Sequence, residues 1–259
     1  MKIGRALFPF LIALAFVLDQ GFAEDRWQEL KSDHFIVYYK EAPLDFVHNV
    51  QESAEQYYRE INDNLGFTRY EGWTYDRRAK IYIYNDQEDF SKDAHARWAH
   101  GVASVQNREI RTFPSAHGFF DSTLPHELGH IVFREFIGIT EQVPLWLDEG
   151  VAMYQEKAKR WGANKLVQQA IQKGQFIPLD ELTHMVLYSD TPRETVELYY
   201  AEAASITYFM ITELGKFRFV NFCRKLKEGS SFENALHHAF ARVKNLNDLN
   251  KLWVAYLHK

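Results

Sequence analysis

Cysteine is nearly absent from this chain: Cys223 is the only one among 259 residues, and a lone thiol cannot close an internal disulfide. That excludes a disulfide-stapled scaffold. Within Phe222-Cys223-Arg224 the residue reads as a small buried hydrophobe, not as a reactive thiol. Repeats, low-complexity runs and Pro- or Gly-rich linkers are missing as well, with 7 Pro and 13 Gly dispersed along the chain, so an independent second domain is not expected. There is no basic excess: 30 Lys and Arg face 35 Asp and Glu, for a net charge of −5, and no basic stripe interleaves with aromatics. On that balance nucleic acid is not a partner. Beyond the N-terminus no segment is apolar over the roughly 20 residues that a membrane span requires.

What stands at the N-terminus reads as a signal peptide over residues 1–23. Lys2 and Arg5 form a basic start, Ala6 to Leu18 is an apolar run, and Gly21-Phe22-Ala23 ends in small residues. Cleavage after Ala23 removes Lys2, Arg5 and Asp19 and takes the net charge from −5 to −6. The mature protein is expected to be soluble, in the periplasm or secreted, with no stable membrane span. An uncleaved signal anchor is the alternative. Residues 24–259 then form one large domain or two closely packed lobes, with 46% hydrophobic and 15% aromatic residues to build a core.

His126-Glu127-Leu128-Gly129-His130 carries the chemistry. On a helix, residues i and i+4 share a face one turn apart, so His126 and His130 can direct their imidazoles at one metal ion while Glu127 points near it. Zinc in such a site keeps an open position for water and lowers its pKa towards about 7, leaving a neighbouring carboxylate to accept the proton. With 11 His and 21 Glu in the chain, accident yields about 0.04 such matches, so context must support the motif. Asp121-Ser122-Thr123 offers capping oxygens, Pro125 suits a first helical turn, and Leu124, Leu128, Ile131, Val132 and Phe133 supply an apolar body. A third ligand is offered by Glu149 in Trp146-Leu147-Asp148-Glu149-Gly150, with eighteen residues between it and His130. Ligating histidines nearly always pass their other N–H to an acceptor, and Asp148 and Glu156 are the candidates.

These motifs resemble the gluzincin metallopeptidases, the group that includes thermolysin and the aminopeptidase-N-like enzymes, over about residues 121–156. The resemblance implies a peptidase-MA-like domain with zinc held by His126, His130 and Glu149, and Glu127 as general base. Its weaker extension to Tyr199-Tyr200-Ala201-Glu202-Ala203 implies that Tyr200 donates to the oxyanion of the transition state, with Tyr199 as the competing choice. Two features depart from the pattern. Met153 stands where thermolysin-like enzymes carry an Asp, and no Gly-Ala-Met-Glu-Asn-like segment precedes the helix, so aminopeptidase specificity is not implied.

Periodicity places strands at 34–39 and 80–84, a helix at 44–65, a short helix at 87–93, and a hairpin of 102–105 and 110–113 around a 106–109 turn. Helices follow over about 143–156, 163–173, 179–186, 194–214, 216–227, 231–240 and 246–257. The fold class is α+β and zincin-like: a small strand-rich lobe with the metal helix, about 24–137, then a helical lobe, about 138–259, with a cleft between. In the resembling peptidases the strand beside the metal helix is a sheet edge that pairs with substrate backbone, a role that falls on 110–113 or its hairpin partner. His95, His100, His237 and His238 read as ordinary polar positions; so do His117 and His184, with a substrate or oxyanion contact at the cleft as the alternative for either.

The functions in competition are three. A zinc-dependent peptidase acting on peptide or protein substrates leads. A zinc-stabilised binding or scaffold protein without turnover is second, and Glu127, which is not a ligand, argues against it. A zinc amidase acting on cell-wall peptides is third.

Overall fold

The computed structural model describes residues 27–67, 72–94 and 101–258. The signal-peptide segment, His95, Trp98 and His100 lie outside them. Five strands, β1 (Gln28–Lys31), β2 (Phe35–Tyr39), β3 (Ala79–Ile83), β4 (Gly101–Ser104) and β5 (Glu109–Thr112), form one sheet in the order β1-β2-β3-β5-β4. The β2-β3 and β3-β5 pairs are parallel and the two outer pairs antiparallel. Strand alternation decides which face is covered: Phe35, Val37, Ala79, Ile81, Ile83, Ile110 and Thr112 are buried on one side. Tyr38, Lys80, Tyr82 and Arg111 alternate with them on the other face and are half-buried.

The parallel step from β2 to β3 is made by α1 (Leu44–Leu65), whose Val47, Val50, Ala54, Tyr58, Ile61 and Leu65 form a stripe at helical spacing against the sheet. Gly66 closes this helix at φ 73°, a left-handed conformation that costs glycine little. A short helix, α2 (Gln87–Ala94), leads towards the β4-β5 hairpin. Hairpin partner β4, and not β5, is the outer strand, because β5 is hydrogen-bonded on both sides. Of the two strands considered for substrate pairing, only β4 therefore presents a free edge among the described residues.

A π-helical turn at Phe119–Thr123 runs straight into the motif helix α3 (Leu124–Ile137). The expected capping by Ser122 or Thr123 is not found. Thr123 is itself helical and makes no cap bond, while the Ser122 hydroxyl is engaged elsewhere, by Glu156. Pro125 does fall in the first turn. After α3 the chain is helical: α4 (Leu145–Gln155), α5 (Lys157–Lys173), α6 (Leu179–His184), α7 (Arg193–Tyr208), α8 (Lys216–Lys227), α9 (Phe232–Ala239) and α10 (Leu246–Leu257). The architecture is thus mixed α+β, with a five-stranded sheet and a largely helical remainder. Several boundaries differ from the sequence reading, two of them most clearly. The segment read as one helix over 194–214 passes through a π-helical turn at Phe209–Glu213, and α5 begins at Lys157, six residues earlier than expected. Glu156 alone separates α4 from α5, extended at φ −80° and ψ 105°.

One continuous cluster of buried side chains runs from Phe35 on β2 to Leu257 on α10, so the sheet and the helices share a core. Within it α3, α4 and α7 lie side by side. Two glycines permit this. A Cβ on Gly129 would come 3.0 Å from the Ala152 backbone, and one on Gly150 would overlap Thr207 Oγ1 and the Ala203 carbonyl.

Candidate metal centre

Helix α3 carries His126 and His130 one turn apart, and α4 brings Glu149 opposite them. The two imidazole Nε2 atoms stand 3.2 Å apart, and Glu149 Oε2 lies 3.6 Å from His126 Nε2 and 3.9 Å from His130 Nε2. These three ligand atoms form the only such group among the described residues. The apolar side of α3, with Leu124, Leu128, Ile131 and Val132 fully buried, fixes the helix against the core and leaves the motif face half-buried.

The other nitrogen of each imidazole is occupied. His126 Nδ1 lies 2.8 Å from Glu156 Oε1, and His130 Nδ1 lies 3.1 Å from Asp148 Oδ1. A carboxylate accepts, so each Nδ1 carries a proton, and in the neutral imidazole Nε2 is then the lone pair available to a metal. Two imidazole nitrogens and one carboxylate oxygen converge on one point, an arrangement of electron-rich atoms that suits a cation among them. Atoms about 2.0–2.1 Å from a tetrahedral zinc are roughly 3.3 Å apart, close to the spacing observed. The donor set and its geometry fit zinc.

Behind each carboxylate stands a cation. Arg134, one helical turn after His130, donates from Nε to Asp148 Oδ2 at 2.8 Å and from its terminal nitrogen at 2.7 Å, and bonds the Glu141 carbonyl at 2.7 Å. Burial alone would push the Asp148 carboxyl up, but His130 and Arg134 hold it below its ordinary value. Glu156, only 2% exposed, is held by His126, by Lys159 Nζ at 2.8 Å and by Ser122. Burial again acts upward and these partners prevail, keeping it ionised. Burial works against charge on His130 too, yet Asp148, Glu149 and Glu127 outweigh it and raise its affinity for a proton. The same negative surroundings favour a metal cation.

Glu127 differs from these carboxylates. Burial pushes it above the ordinary carboxylate value; His126 and His130 oppose the shift, and Glu149 and Glu156 add to it. It is a carboxyl prepared to carry a proton. Tyr200, on α7, is half-buried and lines a cavity together with His126 and Glu149. Its neighbour Tyr199 is fully buried in the core. Burial, with Glu149 nearby, raises the phenol of Tyr200, which therefore stays a hydrogen-bond donor.

The structure brings together His126, Glu127, His130, Glu149 and Tyr200, together with the orienting candidates Asp148 and Glu156. His117 and His184 are exposed, the latter bonded to the Asp180 carbonyl of its own helix. His237 and His238 are exposed on α9, and Cys223 is buried. Arg134, Ser122 and Lys159 were not singled out for the site from sequence. The four-residue step from His130 is the local signal for Arg134; the contacts of Ser122 and Lys159 arise only from packing. The family model described as the Peptidase MA superfamily matches residues 67–259, which takes in all of these positions. No curated protein matches the chain.

Proposed function

This chain belongs to the peptidase MA superfamily, and we propose that it is a zinc-dependent metallopeptidase of the gluzincin type, hydrolysing peptide bonds in peptide or protein substrates. The observation that carries this is the convergence of three ligand atoms beside a carboxyl that is not one of them. His126, His130 and Glu149 would hold the metal, in the ligand order and spacing of the aminopeptidase-N-like branch. Zinc there supplies Lewis acidity and makes a water acidic near neutral pH. Glu127 takes the proton from the attacking water and returns it to the amine that leaves, a task suited to a carboxyl whose buried setting raises its pKa. Tyr200 donates a hydrogen bond from its hydroxyl to the oxygen that becomes negative during attack. Asp148 and Glu156 fix both imidazoles in the Nδ1–H form.

The division into a strand-rich part, about 24–137, and a helical part, about 138–259, with the cleft between them, belongs to the same reading. So does export, through cleavage of residues 1–23 and release to the periplasm or medium. Among the described residues no helix is long and apolar enough to cross a membrane.

The test uses the zinc-loaded mature protein on a diverse peptide library, with Glu127→Gln as the control and new termini identified by mass spectrometry. Wild type is expected to cleave. The variant is expected to keep its zinc and lose roughly 10²–10⁴ of the rate, because an amide of the same shape cannot accept the proton. Unchanged turnover in metal-replete Glu127→Gln removes that residue from the mechanism. No turnover in either protein favours a zinc-stabilised binding protein, and cleavage confined to cell-wall peptides makes it an amidase. Terminal sequencing of the same preparation is expected to begin at or near Glu24; an intact Met1 on a membrane-bound product indicates an anchor instead.

A further inference from the structure

A groove leaves the metal centre between α5 and α7. Its first part is a cavity of about 620 Å³ that His126, Glu149 and Tyr200 share with Met153, Ala163, Leu166 and Val196, walls that are largely apolar. The second part, also about 620 Å³, lies further along the same two helices, towards α6. Leu166, Glu197 and Ala201 line both, so the two adjoin. Leu166, between them, is an apolar side chain left 56% exposed. The far part carries Glu181 and Glu194 against Lys173, a small excess of negative charge at an open rim, while Glu197 is paired with Arg193 at 2.7 Å.

Gly162 indicates that the groove is kept open. It sits inside α5, where glycine weakens a helix relative to any ordinary residue, and it lines the cavity next to the metal centre. A Cβ added there would meet nothing within 4 Å, so no neighbouring element requires the glycine for close packing. In this it is unlike Gly129 and Gly150. A side chain at position 162 would project into the groove and narrow it.

We propose that this groove holds one flank of an extended peptide substrate, taking an apolar side chain beside the scissile bond and a cationic side chain further along. The inference rests on the peptidase reading for its occupant. Continuity with His126, Glu149 and Tyr200 places the apolar part next to the bond to be cut, and Glu181 and Glu194 match Lys or Arg on the distal part.

Cleavage sites of the zinc-loaded full chain in a random peptide library provide the test. They are expected to be enriched at least tenfold in Leu, Phe or Met adjoining the cut on one side, with Lys or Arg enriched further out on that side. Gly162→Leu is expected to lower kcat/KM for the preferred peptides at least tenfold without lowering thermal stability, since leucine is the better helix former. Glu181→Lys/Glu194→Lys is expected to remove the distal Lys and Arg enrichment alone. Cleavage without a preference on either flank, or an unaltered preference in Gly162→Leu, overturns the proposal and leaves the peptidase intact. If no peptide is cut, the same library is passed over the immobilised proteins. Retention of apolar-cationic peptides by wild type and not by Gly162→Leu upholds the groove and overturns turnover; equal retention overturns the groove.

Discussion

At the residue scale the adjacent pair Tyr199 and Tyr200 shows how one helical step separates an enclosed side chain from one that reaches the proposed site. Tyr199 is completely enclosed, whereas Tyr200 shares a cavity with His126 and Glu149. Tyr200→Phe is therefore expected to lower kcat by roughly 10²–10³ with metal content unchanged, the usual loss when a single oxyanion donor is removed. Steady-state kinetics and zinc analysis on both Phe variants check this, and a large kcat loss confined to Tyr199→Phe would move the role to the neighbour. Two residues on, Glu202 is fully buried, accepts from the Ile177 backbone N–H at 2.9 Å through one oxygen, and leaves the other without a partner. Burial pushes its pKa up to about 8. An unfolded glutamate titrates near about 4.3, so between these values the folded chain keeps a proton that the unfolded chain has released. The stability this contributes is fully present at low pH and is lost as pH rises through this window to about 8. Each pH unit of the window takes about 1.4 kcal/mol, a few kcal/mol in all. Glu202→Gln keeps an acceptor for Ile177 and cannot ionise, so thermal melts from pH 5 to 8.5 are expected to fall less steeply for the variant. Parallel curves for the two proteins would identify some other titrating group.

At the element scale, the site exists because α3, α4 and α7 approach more closely than side chains normally allow. Gly150, directly after the ligand Glu149, lies against Thr207 and the Ala203 carbonyl, and this contact sets Tyr200 across from the metal ligands. Gly150→Ala is expected to cost about 2–4 kcal/mol, overpacking outweighing the better helix propensity of alanine, and to reduce turnover by displacing α7. Denaturant melts and kinetics on the variant check both; a gain in stability would show that the two helices yield easily. The contrast with Gly162 cannot be read from sequence, where both are glycines within helical patterns. Elements governed by local periodicity were legible: α1 is read at Leu44–Leu65 and found there, and the two strands of the hairpin are recovered with a one-residue offset. The pairing of His126 with His130 was legible for the same reason, since the four-residue step on α3 is local; Glu149 was reached through the spacing of the resembling peptidases, and Asp148 and Glu156 through what histidine ligands require. The end of α4 was legible too, since the helix read over 143–156 stops within a residue of it; the immediate restart of α5 at Lys157 was not, because a single residue separates the two helices, Glu156, whose carboxylate contacts His126, Ser122 and Lys159. Ser122 looks like a cap in sequence and is spent on that carboxylate. The partner of a side chain 34 residues away depends on packing, which local pattern does not contain.

At the scale of the whole molecule, the centre ties together parts of the chain that the shared core also joins. His126 and His130 come from α3, Glu149 and Asp148 from α4, and Glu156 from the joint before α5, and all of them lean on a core extending from β2 to α10. A cation bound at this junction is bound by the folded chain alone, since the unfolded chain cannot hold three ligand atoms within 4.8 Å of one another. Binding free energy then adds to folding free energy as RT ln(1 + [Zn]/Kd), about 2.7 kcal/mol at a hundredfold excess over Kd. For a chain of this size each kcal/mol moves Tm by about 2–4 °C, so removing zinc with a chelator is expected to lower Tm by roughly 5–10 °C, and restoring zinc to recover it. His130→Ala, which deletes one ligand, is expected to melt at a temperature that zinc no longer changes. Its own Tm without metal reports a separate quantity: loss of His130 also leaves Asp148 with Arg134 as its remaining partner, a pair already well bonded, so the metal-free variant and metal-free wild type are expected to differ by less than zinc contributes. Calorimetry of the four samples separates the two effects. If zinc shifts wild type and His130→Ala equally, the stabilising ion sits elsewhere on the molecule, and the assignment of His126, His130 and Glu149 as its ligands falls with that result.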